Sequence, residues 1–503
     1  SGVVLKELKQ EENAIKSFRL AIKFKKNYGE AYYNLGHIFF ERKKFNEALQ
    51  NFYQSYKINS KLNYLLSSII YTKHRICEWN SFDKDLLDLE NLILNEKKKI
   101  NPFLTLSFYE SPQLQKTSAE IFVKEEYDVQ NKHNYKFHKH AKKKIRIAYY
   151  SADFRNHPMS YLLANLYELH DKNKFEIIGI SFGPDKDDKM RRRVSEAFDE
   201  FYDVRLKTDD EIVKFSRELK IDIAIDLMCF TKYHKFGIFV KRCAPIQVNY
   251  LGYPGTSGTN YLDYIIADKI IIPKESQKYY SEKIVYLPNT YQANDSTKKI
   301  SDKIFTREEL GLPMDGFVFC CFNNNYKITP QVFDVWMRLL ARVENSVLWI
   351  LSENINISKN LKKEATIRGI DFNRIVFAER IKMNEHLARQ KVADLFIDTF
   401  PYTGHTTASD ALWVGLPVLT RIGKSFASRV SASLLNAIGL SALATNSEME
   451  YEDLAIELAT NSAKLKEIKN KLKNNRNTKP LFNTQIFARN IEKAYSLMHE
   501  RYL

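Results

Sequence analysis

The chain has 503 residues, of which 44% are hydrophobic and 27% charged, and its net charge is +16. That length predicts two to four domains of a soluble globular class, and no apolar run approaches the roughly 20 residues that span a bilayer. The lysines are scattered among asparagine and isoleucine throughout, and the runs at 97–99 and 142–144 read as solvated connectors. No nucleic-acid partner is therefore expected, and an anionic small ligand accounts better for the positive charge.

The opening segment "SGVVLKELKQ" is charged and lacks the apolar centre of a secretion signal. Cys77, Cys229, Cys243, Cys320 and Cys321 form no C-x-x-C pair and no zinc spacing. An odd set of this kind fits buried thiols in a reducing, cytoplasmic setting. Next, the chain repeats itself. Ala14 and Ala48 stand 34 residues apart, as do Phe18 and Phe52, and Tyr32, Leu35, Gly36 and Phe39 lie between them. Aromatic-then-L-G in one helix and A-x-x-x-F in the next is the tetratricopeptide pattern. Aligned this way the first repeat lacks its opening residues, which predicts that the natural chain extends upstream.

Residues 60–140 read as further helices, such as "LNYLLSSIIYTKHRICEW" and "TSAEIFVKEEY". From 144 the period changes. "KIRIAYYSADF", "FEIIGISF", "IDIAIDLM", "PIQVNYLGYPG" and "YIIADKIII" are β-rich and mostly separated by helical stretches. The segment 291–313, rich in Asn, Asp, Ser and Lys, reads as a linker. A second strand–helix series follows: "FVFCCFNN", "SVLWILS", "RIVFAER", "DLFIDTF" and "LPVLT", closed by the helix "TQIFARNIEKAYSLMHERY". Two parallel α/β units joined by a linker place a ligand between them, at the C-terminal ends of the strands.

Three turns carry the chemistry. In "DTFPYTGHTTASDALWVGLPV" (398–418), the GHTT stretch falls between a buried strand and a helix. Thr406 or Thr407 is placed to cap that helix, Gly404 allows close approach, and the N-terminal amides favour an anion that His405 also reaches. In "FNNNYKITP" the three asparagines suit polar recognition in a loop, and Lys327 is either a group that neutralises a diphosphate or a solvated lysine at a helix start. In "SADFRNHPMSYLL" His157 precedes Pro158 at a strand-to-helix turn, either as a cap or as a group that trades a proton.

Together these segments resemble the catalytic region of O-GlcNAc transferase and its bacterial relatives, which are protein glycosyltransferases. The matching segments occur in family order: "SADFRNHPMS", "APIQVNYLGYPGTSGTNYLDYIIAD", "FNNNYKITP", "NSVLWILS", "GHTTASDALWVGLPV", "FASRVSASLL", "EYEDLAIELA" and "PLFNTQIF". The fold implied is α-helical tetratricopeptide repeats followed by an α/β GT-B pair of Rossmann-like lobes. Repeats are expected over 1–75, a helical connector over 76–143, the first lobe over 144–300, and the nucleotide-sugar lobe with the C-terminal helix over 301–503.

The resemblance implies roles for single residues. His157 matches the active-site histidine and Lys327 the diphosphate-binding lysine. Asn324 and Tyr326 fall at donor contacts, and His386 and Arg389 near the base. His405, Thr406 and Thr407 match the pyrophosphate turn, and Asp410 the acid on the ribose. Thr231, Leu251 and Gly252 line the sugar pocket. In three places the chain departs from the family. Asn324 replaces a glutamine, Met383 replaces a lysine, and Tyr402 replaces a cysteine beside the N-acetyl group, which puts the sugar in question.

No metal or other cofactor is expected. Asp185 and Asp187 form D-x-D, but in a charged stretch that reads as a solvated loop. The implied reaction is inverting transfer of N-acetylglucosamine from a UDP donor to Ser or Thr of a protein held by the repeats. The open alternatives are a UDP-glucose or GDP-fucose donor, an Asn acceptor, or a catalytically inactive repeat scaffold.

Overall fold

The computed structural model describes residues 2–7, 10–95, 100–127, 135, 137, 144–184 and 186–503. Helices Gly2–Glu7, Glu11–Phe24, Gly29–Glu41, Phe45–Ile58 and Leu65–Arg75 stack at the N-terminal end. The 34-residue period has a steric cause. A Cβ on Gly36 would lie 2.5 Å from the Phe52 ring, and one on Gly2 would lie 2.7 Å from the Phe18 ring. A glycine in the first helix of each pair thus admits the aromatic of the second. Helices Phe82–Leu94, Phe103–Phe108 and Pro112–Glu126 follow. The lysine run at 97–99 and most of the run at 142–144 lie outside the described residues.

The first lobe is a seven-stranded sheet: β1 (Ile145–Ser151), β2 (Phe175–Ser181), β3 (Glu200–Asp203), β4 (Ile223–Asp226), β5 (Ile246–Asn249), β6 (Tyr264–Ala267) and β7 (Lys283–Tyr286). Their order is β3-β2-β1-β4-β5-β6-β7. The second lobe holds β8 (Val318–Cys321), β9 (Val347–Leu351), β10 (Ile375–Ala378), β11 (Leu395–Ile397), β12 (Val418–Arg421) and β13 (Ala444–Thr445), ordered β10-β9-β8-β11-β12-β13. Every pairing is parallel, with Ile147 of β1 opposite Ile177 and Ile223. A parallel sheet covered on both faces needs apolar residues on both sides of each strand, which is why the central strands read as continuous apolar runs.

Two of those runs end sooner than their composition predicts. β5 stops at Asn249, and two residues on, Leu251 takes φ +70. β6 stops at Ala267, because the Asp268 carboxylate accepts from Ile270 N and Ile271 N and turns the chain. The short strands β3, β7 and β13 carry no such run and are missed in the sequence.

The 291–313 segment is a loop, as its composition predicts, yet its start is not solvated. Tyr291, Ala293, Asn294 and Asp295 are buried. Asn294 Nδ2 donates to Leu481 O at 3.2 Å, and Arg193 pairs with Asp295 at 2.6 Å. The polar residues at its start satisfy bonds between lobes instead of facing water. Helix Thr484–Tyr502 then returns to the first lobe, where Glu492 accepts from Asp171 N at 2.8 Å. All five cysteines are buried free thiols. No helix among the described residues is long and apolar enough to cross a membrane.

Candidate functional site

Every residue to which the resemblance assigns a role borders one cavity of about 1030 Å³ between the lobes. The repeats and connector close its far side with Tyr33, His37, Tyr71 and Phe103.

The turn after β11 forms its floor. Neither Thr406 nor Thr407 caps the following helix, contrary to expectation. Both lie inside helix Thr406–Val414, and His405, at the N-cap position, makes no side-chain cap bond. The Thr407 hydroxyl is committed elsewhere, to Asn323 Oδ1. The first-turn amides are left without a side-chain partner, and together with the helix dipole they favour an anion. Gly404 leaves little room for a side chain here. A Cβ would come within 3.1 Å of both Asn323 Oδ1 and Thr407 Oγ1. Burial and the nearby Lys327 charge hold the His405 imidazole far below its usual pKa, and its Nε2 has no hydrogen-bond partner.

The asparagine-rich turn after β8 departs from the loop reading. Asn323 and Asn325 are buried, and only Asn324 is partly open. Asn323 Nδ2 donates to Asp398 Oδ1 at 2.8 Å and to Thr399 Oγ1 at 2.7 Å, while Asn325 Nδ2 donates to Leu351 O at 2.8 Å. Asp398 also accepts from Gly404 N at 2.6 Å and Thr420 Oγ1 at 2.8 Å. One buried carboxylate therefore ties both donor-side turns together.

Lys327 is only 7% exposed. Its ammonium donates to Thr403 O at 2.8 Å and lies 3.7 Å from the centroid of the Tyr402 ring. Burial pulls its pKa down to about 7, against the opposing charge of Asp398.

In the first lobe, Gly252 is sterically required, since a Cβ would sit 1.8 Å from Leu227 O. The adjacent Leu251 has φ +70, a strained conformation for a residue with a side chain. Thr231 Oγ1 donates to Met228 O at 2.9 Å. His157 is both a cap and a cavity residue. Its Nδ1 accepts from Met159 N at 3.3 Å and lies 3.5 Å from Asp153, and burial lowers its pKa. With Nδ1 accepting, the neutral ring carries its proton on Nε2.

A family model for glycosyl transferase family 41 matches residues 76–304 and 298–491, and a tetratricopeptide model matches 1–28 and 29–62. The chain belongs to glycosyl transferase family 41. The Arabidopsis thaliana protein named probable UDP-N-acetylglucosamine–peptide N-acetylglucosaminyltransferase SEC is 36% identical over 362 residues, which is 71% of this chain and 37% of that one. The Caenorhabditis elegans UDP-N-acetylglucosamine–peptide N-acetylglucosaminyltransferase is 25% identical over 553 residues, or 85% and 48% of the two chains. The chain thus spans less than half the length of these relatives. Among solved structures, a mutant of the Thermobaculum terrenum O-GlcNAc transferase covers 98% of this chain and 95% of its own with a TM-score of 0.81. At 23% identity that likeness shows the shared fold.

The family 41 chain arranges the remaining expected residues in two ways. Arg389 is buried and bonded to its neighbours. Its Nη2 lies 2.8 Å from His386 Nδ1, and its Nη1 donates to Glu379 O at 2.7 Å. His386, packed at a tilt against Phe322 at 4.9 Å with its pKa lowered to about 3 by burial, is held neutral. Asp410 is ion-paired with Lys298 at 2.6 Å, the two side chains being 4% and 5% exposed.

Several site residues were missed in the sequence. Lys298 lies in the linker, where one more lysine carries no signal. Asp398 had a signal that went unused, a carboxylate directly after a buried strand. Arg75, from the last helix of the repeat stack, donates to Asn324 Oδ1 at 3.0 Å and lies 5.6 Å from the Tyr326 ring centre. Phe103, from the connector, packs on Tyr326 at 5.9 Å. Asp187 of the D-x-D pair is exposed and bound to Arg192 at 2.8 Å, and Asp185 lies outside the described residues.

Proposed function

We propose that this family 41 chain transfers N-acetylglucosamine from a UDP donor to serine or threonine hydroxyls of proteins, with inversion. The observation that carries this reading is the meeting, in one cavity, of a buried lysine and an uncapped helix N-terminus, with the repeat helices lining the opposite wall. The first pair supplies fixed positive charge where a diphosphate would leave, and the second a place for an acceptor chain.

In the proposed step the acceptor oxygen bonds to the anomeric carbon. The bond from that carbon to the diphosphate oxygen breaks, its electron pair leaves on UDP, and the hydroxyl proton passes to solvent. Lys327 and the amides of helix 406–414 stabilise the departing charge. His157, already accepting a backbone N–H at Nδ1, offers its Nε2–H to position an oxygen, a different role from that of a base. Asp410 presents its second oxygen to the ribose, and the ring of His386 lies beside the base.

The test is intact-mass analysis of candidate acceptor proteins incubated with the enzyme and a panel of UDP-N-acetylglucosamine, UDP-glucose and GDP-fucose. A shift with the first alone supports the reading, and no shift or donor hydrolysis with any of them points to an inactive scaffold. UDP-glucose is the second reading, because the Tyr402 ring fills cavity wall between Phe103 and His405. On that reading Tyr402→Ala raises the kcat/KM ratio of UDP-N-acetylglucosamine to UDP-glucose, by about tenfold for a relieved clash of 1–3 kcal/mol.

The reaction as proposed draws on no metal. EDTA is expected to leave initial rates within about twofold, as the charge comes from side chain and helix. Loss on chelation that manganese restores overturns this.

Removing residues 1–60 is expected to reduce modification of proteins more than hydrolysis of the donor. These residues also brace both lobes, through Lys43 to Glu353 at 2.5 Å and Glu41 to Lys232. Equal loss of the two activities would show bracing alone.

A further inference from the structure

Lys327 faces a problem of orientation that its own backbone does not solve. It ends a short turn, and its ammonium has three N–H groups free to rotate about the last carbon–nitrogen bond. One N–H goes to Thr403 O at 2.8 Å. Asp398 acts on it through charge and not through a hydrogen bond, and the aspartate oxygens accept from Gly404, Asn323 and Thr420. What remains on the protein side is the face of Tyr402, with the nitrogen 3.7 Å from the ring centre.

That ring is itself fixed. It is 5% exposed, and Phe103, Tyr326 and His405 pack around it with centroids at 6.1, 6.2 and 5.1 Å. Its backbone carbonyl accepts from Thr399 Oγ1 at 2.6 Å. A cation over an aromatic face in a desolvated site is held by the negative face of the ring.

We propose that Tyr402 is a positioning residue for Lys327. Its ring face and Thr403 O together hold two of the three N–H groups, so the third points into the cavity toward the start of helix 406–414. This rests on the proposed role of Lys327 at the leaving diphosphate. The ring face carries the effect and the hydroxyl does not. Because Phe103 comes from the connector, seating of the helical region on the second lobe helps to set the lysine.

The test compares Tyr402→Leu, which keeps bulk without a π face, with Tyr402→Phe, each made alone and with Lys327→Met. Turnover at saturating donor and melting temperature are measured for all. Tyr402→Leu is expected to lower kcat about tenfold or more, and Tyr402→Phe to restore most of that. With Lys327→Met already present, Tyr402→Leu should cost nothing further, since coupled residues are non-additive. If Tyr402→Leu melts early, fluorinated phenylalanines at 402 keep the ring's shape while weakening its negative face, and kcat should fall with each added fluorine.

Equal rates for Leu and Phe, an undiminished loss in the Lys327→Met background, or no trend with fluorine overturns the proposal. Wild-type turnover in Lys327→Met overturns the leaving-group reading itself, and this proposal with it. A crippled Lys327→Met with no coupling to position 402 overturns only the role of Tyr402.

Discussion

Lys327→Met is expected to lower sugar transfer by about 10²–10³-fold while leaving the protein folded. The size follows from removing one preorganised charge contact to a developing anion in a water-poor site, typically worth about 3–4 kcal/mol. Lys327 is positioned for such a contact by Thr403 O and the Tyr402 ring, beside amides that no side chain caps. Stability should hold or rise, because the pKa of about 7 shows that burial disfavours the charged form. Replacing a buried charge with an apolar group of similar volume is often neutral or stabilising. The two measurements are thus expected to diverge: activity falls and the melting temperature does not. Near-normal turnover would falsify the leaving-group role.

Asp398 is expected to show two separable losses. Asp398→Ala removes the acceptor for Gly404 N, Asn323 Nδ2 and Thr420 Oγ1, all buried. Each orphaned group costs about 1–3 kcal/mol, so a loss of at least about 3 kcal/mol is expected in denaturant unfolding. Asp398→Asn keeps an oxygen toward Gly404 and Asn323 but deletes the negative charge. That charge holds the Lys327 proton on, so its removal moves the lysine's pKa below about 7. Cys321, His405 and Tyr402 also face Lys327, and Tyr326 lines the same cavity. Burial raises the pKa of the thiol and both phenols and lowers that of the histidine, so all four are neutral near pH 7.

The sign of the pH effect follows. The ammonium is the working form, and it is lost as pH rises through its pKa in the free enzyme. In Asp398→Asn the alkaline limb of kcat/KM should therefore move to lower pH. An unmoved limb would show that Asp398 organises the turns without tuning the lysine.

The repeat period, the change to β-rich runs at 144, and the three polar turns after buried strands were legible because each is a local pattern. Glycine–aromatic interlock between neighbouring helices sets the 34-residue spacing, and a doubly covered parallel sheet sets the apolar runs. His157, Lys327 and the GHTT turn follow strands β1, β8 and β11, so the strand ends alone brought them to one cleft. What lay beyond reach was the partner of each polar group. Three adjacent asparagines look alike in a row of letters, yet Asn323 turns to Asp398, Asn325 to Leu351 O, and Asn324 to Arg75, 249 residues away.

The class of fold, the order of the elements and the residues that border the cleft follow from local pattern, because strand and helix periodicity depends on neighbours a few positions apart. Packing of the whole chain settles that the GHTT helix starts uncapped, that Lys298 pairs with Asp410, that the start of the linker packs inward, and that Tyr402 lies under Lys327. Those contacts form only after the two lobes and the helical region have packed together, and at each of them hydrogen bonding and desolvation depend on a residue the local sequence does not name.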